Sequence, residues 1–259
     1  MLSPQPAPKA IILAAGQGQR LKPLTNDRPK GMVEINGSTI IERQLKLFRK
    51  VGIDRVCIVK GFCASSVPDY GACHYINEEY ASTNMVYSLF AAGPELVSGP
   101  VVVSYGDIVY SEQVLRSLLG TEAPVAVVVD LAWKAYFAQR FADPFDDAES
   151  LVLDASGAIR SIGQSRPSLQ DVQAQYIGLI KFQDAGLAHI RKIQESFSNS
   201  DATLGWGRAW RKAYMTDLLQ ELVNQGERVM AVPISRGWCE IDSPRDFELA
   251  GPIVDRFLV

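Results

Sequence analysis

The chain has 259 residues, enough for one large α/β domain or a domain carrying a sizeable insertion. Hydrophobic residues make up 47% and charged residues 21%, and a net charge of −3 gives no electrostatic reason to expect nucleic acid or an anionic membrane as a partner, so any phosphate binding must come from a local concentration of positive groups. The four cysteines form no C-x-x-C pair, the two histidines stand far apart, and no apolar run is long enough to span a bilayer, which excludes a zinc finger, a disulfide scaffold and a membrane helix.

Residues 1–8 have neither the basic nor the apolar region of a signal peptide and are expected to form a short disordered lead to a cytoplasmic domain spanning 9–259. "KAIILAA" (9–15) is a continuous apolar run, the pattern of a strand buried on both faces. The spacing in "STIIERQLKLFRKVGI" (38–53) predicts a helix capped by Ser38 and closed near Gly52. Strands follow at 55–59 and 73–77, a helix at 83–93 ended by Gly93-Pro94, a strand at 100–107, a helix at 111–120 and a strand at 124–130. Cys57 and Cys239 lie in apolar runs and read as small core residues. This alternation predicts a mostly parallel mixed sheet with helices on both faces.

After Asp130 the texture becomes aromatic and proline-interrupted. A hairpin with its turn at Ser156-Gly157 (151–163) and an apolar segment (174–182) are expected, within an insertion over 131–215 that flanks the acceptor side of the sheet. The chain then returns with a helix (216–227), strands (229–234 and 237–242) and a final helix (243–257) with Ser243 or Asp242 as cap and Pro244 in its first turn.

The most informative stretch is "LAAGQGQRLKPLTNDRPKGM" (13–32). Its G-x-G spacing fails as a dinucleotide fingerprint, because position 21 is Leu and "RVCIV" runs into Lys60 rather than an acid. Gly16 and Gly18 after a strand let backbone N–H groups turn inward as an anion nest. Arg20 adds a planar fork suited to phosphate oxygens, and Lys30 a compact positive charge. Pro23 and Pro29 stiffen the loop, so little entropy is lost when a ligand orders it. Lys22 and Arg28 read as solvated. The plain alternative is a strand-to-helix turn with surface cations.

This loop resembles the signature "LAAGxGxRLxPLTxxxPKxL" of the sugar-phosphate nucleotidyltransferase superfamily, with Met32 in the last position. "STNMVYSL" (82–89), "YGDIVY" (105–110), "QYIGLIKF" (175–182), "YMTDLLQEL" (214–222) and "GWCEIDSPRDFE" (237–248) extend the resemblance and look most like the branch of CTP:phosphocholine and phosphonate cytidylyltransferases, 2-aminoethylphosphonate-type enzymes among them. Gln173 and Ala174 depart from the branch's "EGQYIGL". The resemblance implies a nucleotide-diphospho-sugar transferase-like fold and a Mg²⁺-dependent transfer of CMP from CTP to 2-aminoethylphosphonate, a related phosphonate or phosphocholine, with release of pyrophosphate. A sugar-1-phosphate nucleotidyltransferase using another nucleotide, and a nucleotide-binding regulatory module without turnover, remain the alternatives.

Such a reaction needs the triphosphate charge offset, usually by Mg²⁺ on one or two carboxylates. Asp107 and Asp242 end apolar strands, where open α/β sheets bind ligands, and they resemble the family's metal-binding aspartates. Glu240 shares a face with Asp242 on an extended strand and is a further candidate ligand or acceptor contact. Leu13, Ala14, Ala15 and Gly16 are small enough to let a base lie against backbone. The resemblance puts the other wall of that slot in 77–88, where Asn84 and Ser88 share a helix face. Trp133, Tyr176 and Asp217 are candidate acceptor contacts, the rings through cation–π attraction to an ammonium group. Lys30 and Arg20 are the expected catalytic cations.

Overall fold

The structure, a computed structural model, describes residues 6–165 and 167–257, so the first five residues of the expected N-terminal lead lie outside the described residues. In chain order, β1 (Lys9–Ala14) leads through the glycine loop to a small hairpin, β2 (Glu34–Ile35) and β3 (Ser38–Thr39), and to α1 (Ile40–Lys50). Then come β4 (Arg55–Lys60), β5 (Cys73–Ile76), α2 (Met85–Ala91), β6 (Val101–Tyr105), β7 (Ile108–Tyr110), α3 (Glu112–Leu119) and β8 (Val125–Asp130). The second half holds α4 (Trp133–Arg140), a hairpin of β9 (Glu149–Leu153) and β10 (Ile159–Ser165), β11 (Gln175–Phe182) and α5 (Ala185–Phe197). A short hairpin of β12 (Thr203–Leu204) and β13 (Arg208–Ala209) precedes α6 (Met215–Asn224), β14 (Val229–Ile234), β15 (Trp238–Glu240) and α7 (Pro244–Asp255).

Seven strands form the central sheet in the order β14-β8-β11-β6-β1-β4-β5. Six run parallel, and β11 alone runs against its neighbours β6 and β8. Successive side chains of a strand point to opposite faces, so β1 sends Ala10, Ile12 and Ala14 into one core and Ile11 into the other. The first core packs α1, α3, α4 and α7 on the sheet; the second packs α2, α5 and α6. Cys57 and Cys239 are buried core residues, as expected. Among the described residues, no helix is long and apolar enough to cross a membrane.

Three expectations are corrected. Helix α1 is capped by Thr39, not Ser38: the Thr39 hydroxyl accepts from the Glu42 amide, and the Glu42 carboxylate accepts from the Thr39 amide at 2.9 Å. Only Thr39 stands three residues before a glutamate, the spacing a capping box requires. Residues 131–215 do not all flank the sheet, because β11 is one of its interior strands, between β8 and β6; "QYIGLIKF" is apolar enough to be buried on both faces. Helices α4 and α5 were not expected in this stretch, although Leu187, Ile190 and Ile193 of α5 recur at helical spacing and are buried. The hairpin at 151–163 and the Ser243 cap with Pro244 in the first turn of α7 form as read.

Candidate active site

At the carboxyl ends of β1 and β6, a cleft of about 350 Å³ opens between the glycine loop and the start of α2. Leu13, Ala14, Ala15, Gly16, Gly18, Arg20, Lys30, Asn84, Ser88, Asp107 and Asp242 all line it. Tyr80, Thr83 and Met85, within the 77–88 wall that the resemblance implied, line it too, as do Gln19, Gly31 and Tyr105, which sequence reasoning missed. The glycine loop is a built feature: Thr25, fully buried, donates its hydroxyl to the Gly18 carbonyl at 2.7 Å, and the Leu21 amide donates to the same oxygen at 3.1 Å. Asn84 caps α2 by accepting from the Met85 amide at 2.9 Å, and the Ser88 oxygen accepts from the buried Asn77 amide group at 2.9 Å. Both polar groups are therefore oriented before any ligand arrives.

Gly18 sits at φ +67, and a Cβ there would overlap the stem of Lys30. Gly18→Ala is expected to cost left-handed strain of about 1 kcal/mol and to displace the Lys30 amine, lowering kcat/KM for the nucleotide about tenfold or more. Steady-state kinetics on the soluble variant check this, and wild-type kcat/KM would refute it.

Asp107 and Asp242 are distant in sequence, and a second, two-stranded sheet brings them together. β15 pairs antiparallel with β7, with Glu240 opposite Ile108, and the Ile241 amide extends the ladder to the Asp107 carbonyl at 2.8 Å. Gln44 of α1 fixes the turn before β7 by donating to the carbonyls of Tyr105 and Ile108 at 2.8 and 2.7 Å. Lys30, its side chain only 18% exposed, sits between the two carboxylates, 3.0 Å from Asp107 and in direct contact with Asp242. Arg20 is 65% exposed and reaches the other Asp242 oxygen. Burial pushes the Asp107 carboxyl up, with Arg140 and Arg20 pulling it back. Asp107 Oδ1 is buried and has no hydrogen-bond partner among the described residues. Two hard carboxylates, one with an orphaned oxygen, fit a divalent cation that takes oxygen ligands.

A second cavity, of about 430 Å³, adjoins the cleft and shares Arg20, Met85 and Tyr105 with it. Its wall is acidic and aromatic, with Asp146, Asp147, Glu149 and Glu240 facing Tyr176, Tyr214 and Trp238. Tyr176 and Glu240 therefore line this second cavity. Glu240 does not join Asp242 on one face as the strand alternation implied, because β15 ends at Glu240 and its carboxylate turns to Arg140 at 2.9 Å. Trp133 and Asp217 do not line either cavity. The Trp133 ring packs edge-on against Phe137 and Phe145 in the core, and the Asp217 carboxylate is buried on Arg208 and the Tyr214 amide. The acid run 146–149 carried a signal, a cluster of carboxylates beside aromatics, that the sequence reading left unused.

Residues 10–165 match the model of the MobA-like NTP transferase domain. The chain is 34% identical over 250 residues to the CTP:phosphoglutamine cytidylyltransferase of Campylobacter jejuni, covering 93% of this chain and 98% of that protein. It is 32% identical over 109 residues to the 2-aminoethylphosphonate cytidylyltransferase of Lancefieldella rimae, covering 40% of this chain and 44% of that protein. The solved structure of the CTP:phosphocholine cytidylyltransferase of Streptococcus pneumoniae superimposes with a TM-score of 0.72 over 96% of this chain and 100% of that one, at 21% identity, which shows a shared fold. A family match over more than half the chain, and a relative matched along almost its whole length, support one conclusion: the chain belongs to the MobA-like NTP transferase family and is a nucleotidyltransferase.

Proposed function

We propose that this enzyme transfers CMP from CTP to a small phosphate, phosphonate or phosphoramidate acceptor carrying a positively charged nitrogen, and releases pyrophosphate. The observation that carries the reading is the junction of two cavities at Arg20 and Tyr105: a cationic, glycine-floored cleft on one side and an acidic, aromatic pocket on the other. Relatives named for phosphoglutamine and 2-aminoethylphosphonate support the class, since both acceptors join a phosphorus oxyanion to an amine. A sugar-1-phosphate has no cation for that pocket. The reading puts the enzyme in the cytoplasm, where CTP is available.

The acceptor oxyanion is already a nucleophile, so no general base is required. It attacks the α-phosphorus as the bond to the pyrophosphate oxygen breaks, and catalysis rests on alignment and charge stabilisation. Lys30 and Arg20 are poised to offset negative charge on the α-phosphate and the incoming group. Asp107 and Asp242 would hold Mg²⁺, which neutralises triphosphate charge as pyrophosphate departs. Pyrophosphate release from each of the four nucleoside triphosphates, paired with phosphoglutamine, 2-aminoethylphosphonate, phosphocholine and glucose-1-phosphate, tests the reading. Turnover with CTP and a nitrogen-bearing acceptor supports it; turnover only with the sugar phosphate, or none at all, overturns it.

Glu149 gives the pocket a pH signature. Burial, together with Asp217 and Asp147, pushes its carboxyl up to about 7. Below that pH the group is neutral and attracts no cation; above it the carboxylate forms. The acceptor KM is therefore expected to fall about tenfold from pH 6 to pH 8, and Glu149→Gln to flatten that change. The ratio of variant to wild-type KM at each pH separates Glu149 from the acceptor's own titration. A ratio that does not change with pH refutes the assignment.

A further inference from the structure

Arg140 occupies an inward position on α4, with Trp133, Tyr136 and Phe137, and its side chain is only 1% exposed. The guanidinium lies over the rings of Tyr136, Phe137 and Phe141 at 5.3, 5.1 and 4.8 Å. Its Nε donates to Asp246 Oδ1 at 2.7 Å; Nη2 reaches Asp246 Oδ2 at 3.2 Å and Glu240 at 2.9 Å. Asp246 Oδ2 in turn accepts from the backbone amides of Asp242 at 3.1 Å and Ser243 at 2.9 Å. On the same strand end, the Glu240 amide donates to the Tyr136 hydroxyl at 3.0 Å. One buried cation thus grips the short backbone segment that carries Glu240 into the acceptor pocket and Asp242 into the nucleotide cleft.

Capping does not require this arrangement. Ser243 and Asp246 already form a complete capping box for α7. Packing does not require it either, because an aliphatic side chain would fill the aromatic nest without leaving a buried Nη1 with no partner among the described residues. What the guanidinium adds is direction: a planar fork donates to two carboxylates in one geometry only.

We propose that Arg140 is a positioning residue, which through Asp246 and Glu240 holds the acceptor-side and nucleotide-side carboxylates in fixed relation, so that α4 couples the two halves of the site. The proposal rests on the reading of Asp242 as a metal ligand.

The test measures Mn²⁺ binding by the electron paramagnetic resonance of free Mn²⁺, alongside kcat and acceptor KM, for wild type, Arg140→Lys, Asp246→Asn and the double variant. A lysine keeps the charge but lacks the rigid fork that fixes the two carboxylates in one orientation. Each single variant is expected to weaken Mn²⁺ binding and lower kcat about tenfold, as loss of an orienting partner behind a ligand does, and to raise the acceptor KM. The double variant should lose no more than either single one, because both break the same link. Glu95→Gln, at the far end of the sheet, serves as a destabilised control that keeps wild-type Mn²⁺ affinity and kcat. Wild-type values in both single variants, or equal losses in the control, overturn the proposal alone. Failure of the wild-type enzyme to bind Mn²⁺ overturns the metal reading and the proposal with it.

Discussion

Lys30→Ala is expected to lower kcat by about 10²–10³, the usual loss when one preorganised charge-stabilising donor is removed. The reason lies in the amine's surroundings. Lys30 is largely buried, its stem lies across Gly18, and its charge touches both Asp107 and Asp242. Among the described residues no other cation takes that place: Arg20 reaches Asp242 from a solvent-exposed position, and Arg28 is bound to Asp27 on the surface. The variant should keep its fold, because the loop is also held by Leu21 and Thr25. It should bind Mn²⁺ at least as well as wild type, since a competing positive charge leaves the carboxylates. Slow chemistry with retained metal affinity is thus the signature, read from single-turnover rates and Mn²⁺ titration. A variant with kcat within threefold of wild type would remove Lys30 from the chemistry.

What the sequence disclosed about this site follows from how local each feature is. Gly16, Gly18, Arg20 and Lys30 come from one loop after one strand, and backbone chemistry alone makes that loop an anion cradle. Asp107 and Asp242 were legible as strand-end acids, but only the resemblance, not the chain's own pattern, implied that they share a metal, because the β7–β15 pair that joins them lies outside the central sheet. The position of β11 was hidden for a similar reason: an apolar run says how deeply a strand is buried, not between which partners it sits. Trp133 shows the limit for aromatics, since one ring after a strand end can face a pocket or a core, and only the presence of Phe137 and Phe145 decides for the core. Arg140 is the sharper case. A cation on the apolar face of a helix reads as an interruption of that face, and the two carboxylates that make its burial tolerable arrive about a hundred residues later.

Glu95→Gln is expected to lower stability by about 2–3 kcal/mol near neutral pH, the cost of losing hydrogen bonds to a charged group in a buried setting. Glu95 is 1% exposed and follows α2, where its oxygens accept from Arg55 at 2.5 and 2.8 Å and from the Tyr75 hydroxyl at 2.8 Å, while Lys9 donates to its carbonyl at 2.8 Å. The carboxylate therefore ties β4 to β5, while β1 is held chiefly through the Glu95 main-chain carbonyl, with Lys9 3.8 Å from the carboxylate, away from the site. The bond from Arg55 outweighs burial and holds the Glu95 carboxyl down at about 2. Because that value is depressed, the stabilisation is fully present above the ordinary glutamate range near 4.5 and disappears as pH falls toward 2. The melting temperature of the variant should lie roughly 4–12 °C below wild type at pH 7, and the gap should narrow steadily below pH 4.5. A gap that stays constant into acid would mean that the substitution acts through packing, and that the charge at the base of the sheet contributes nothing to its stability.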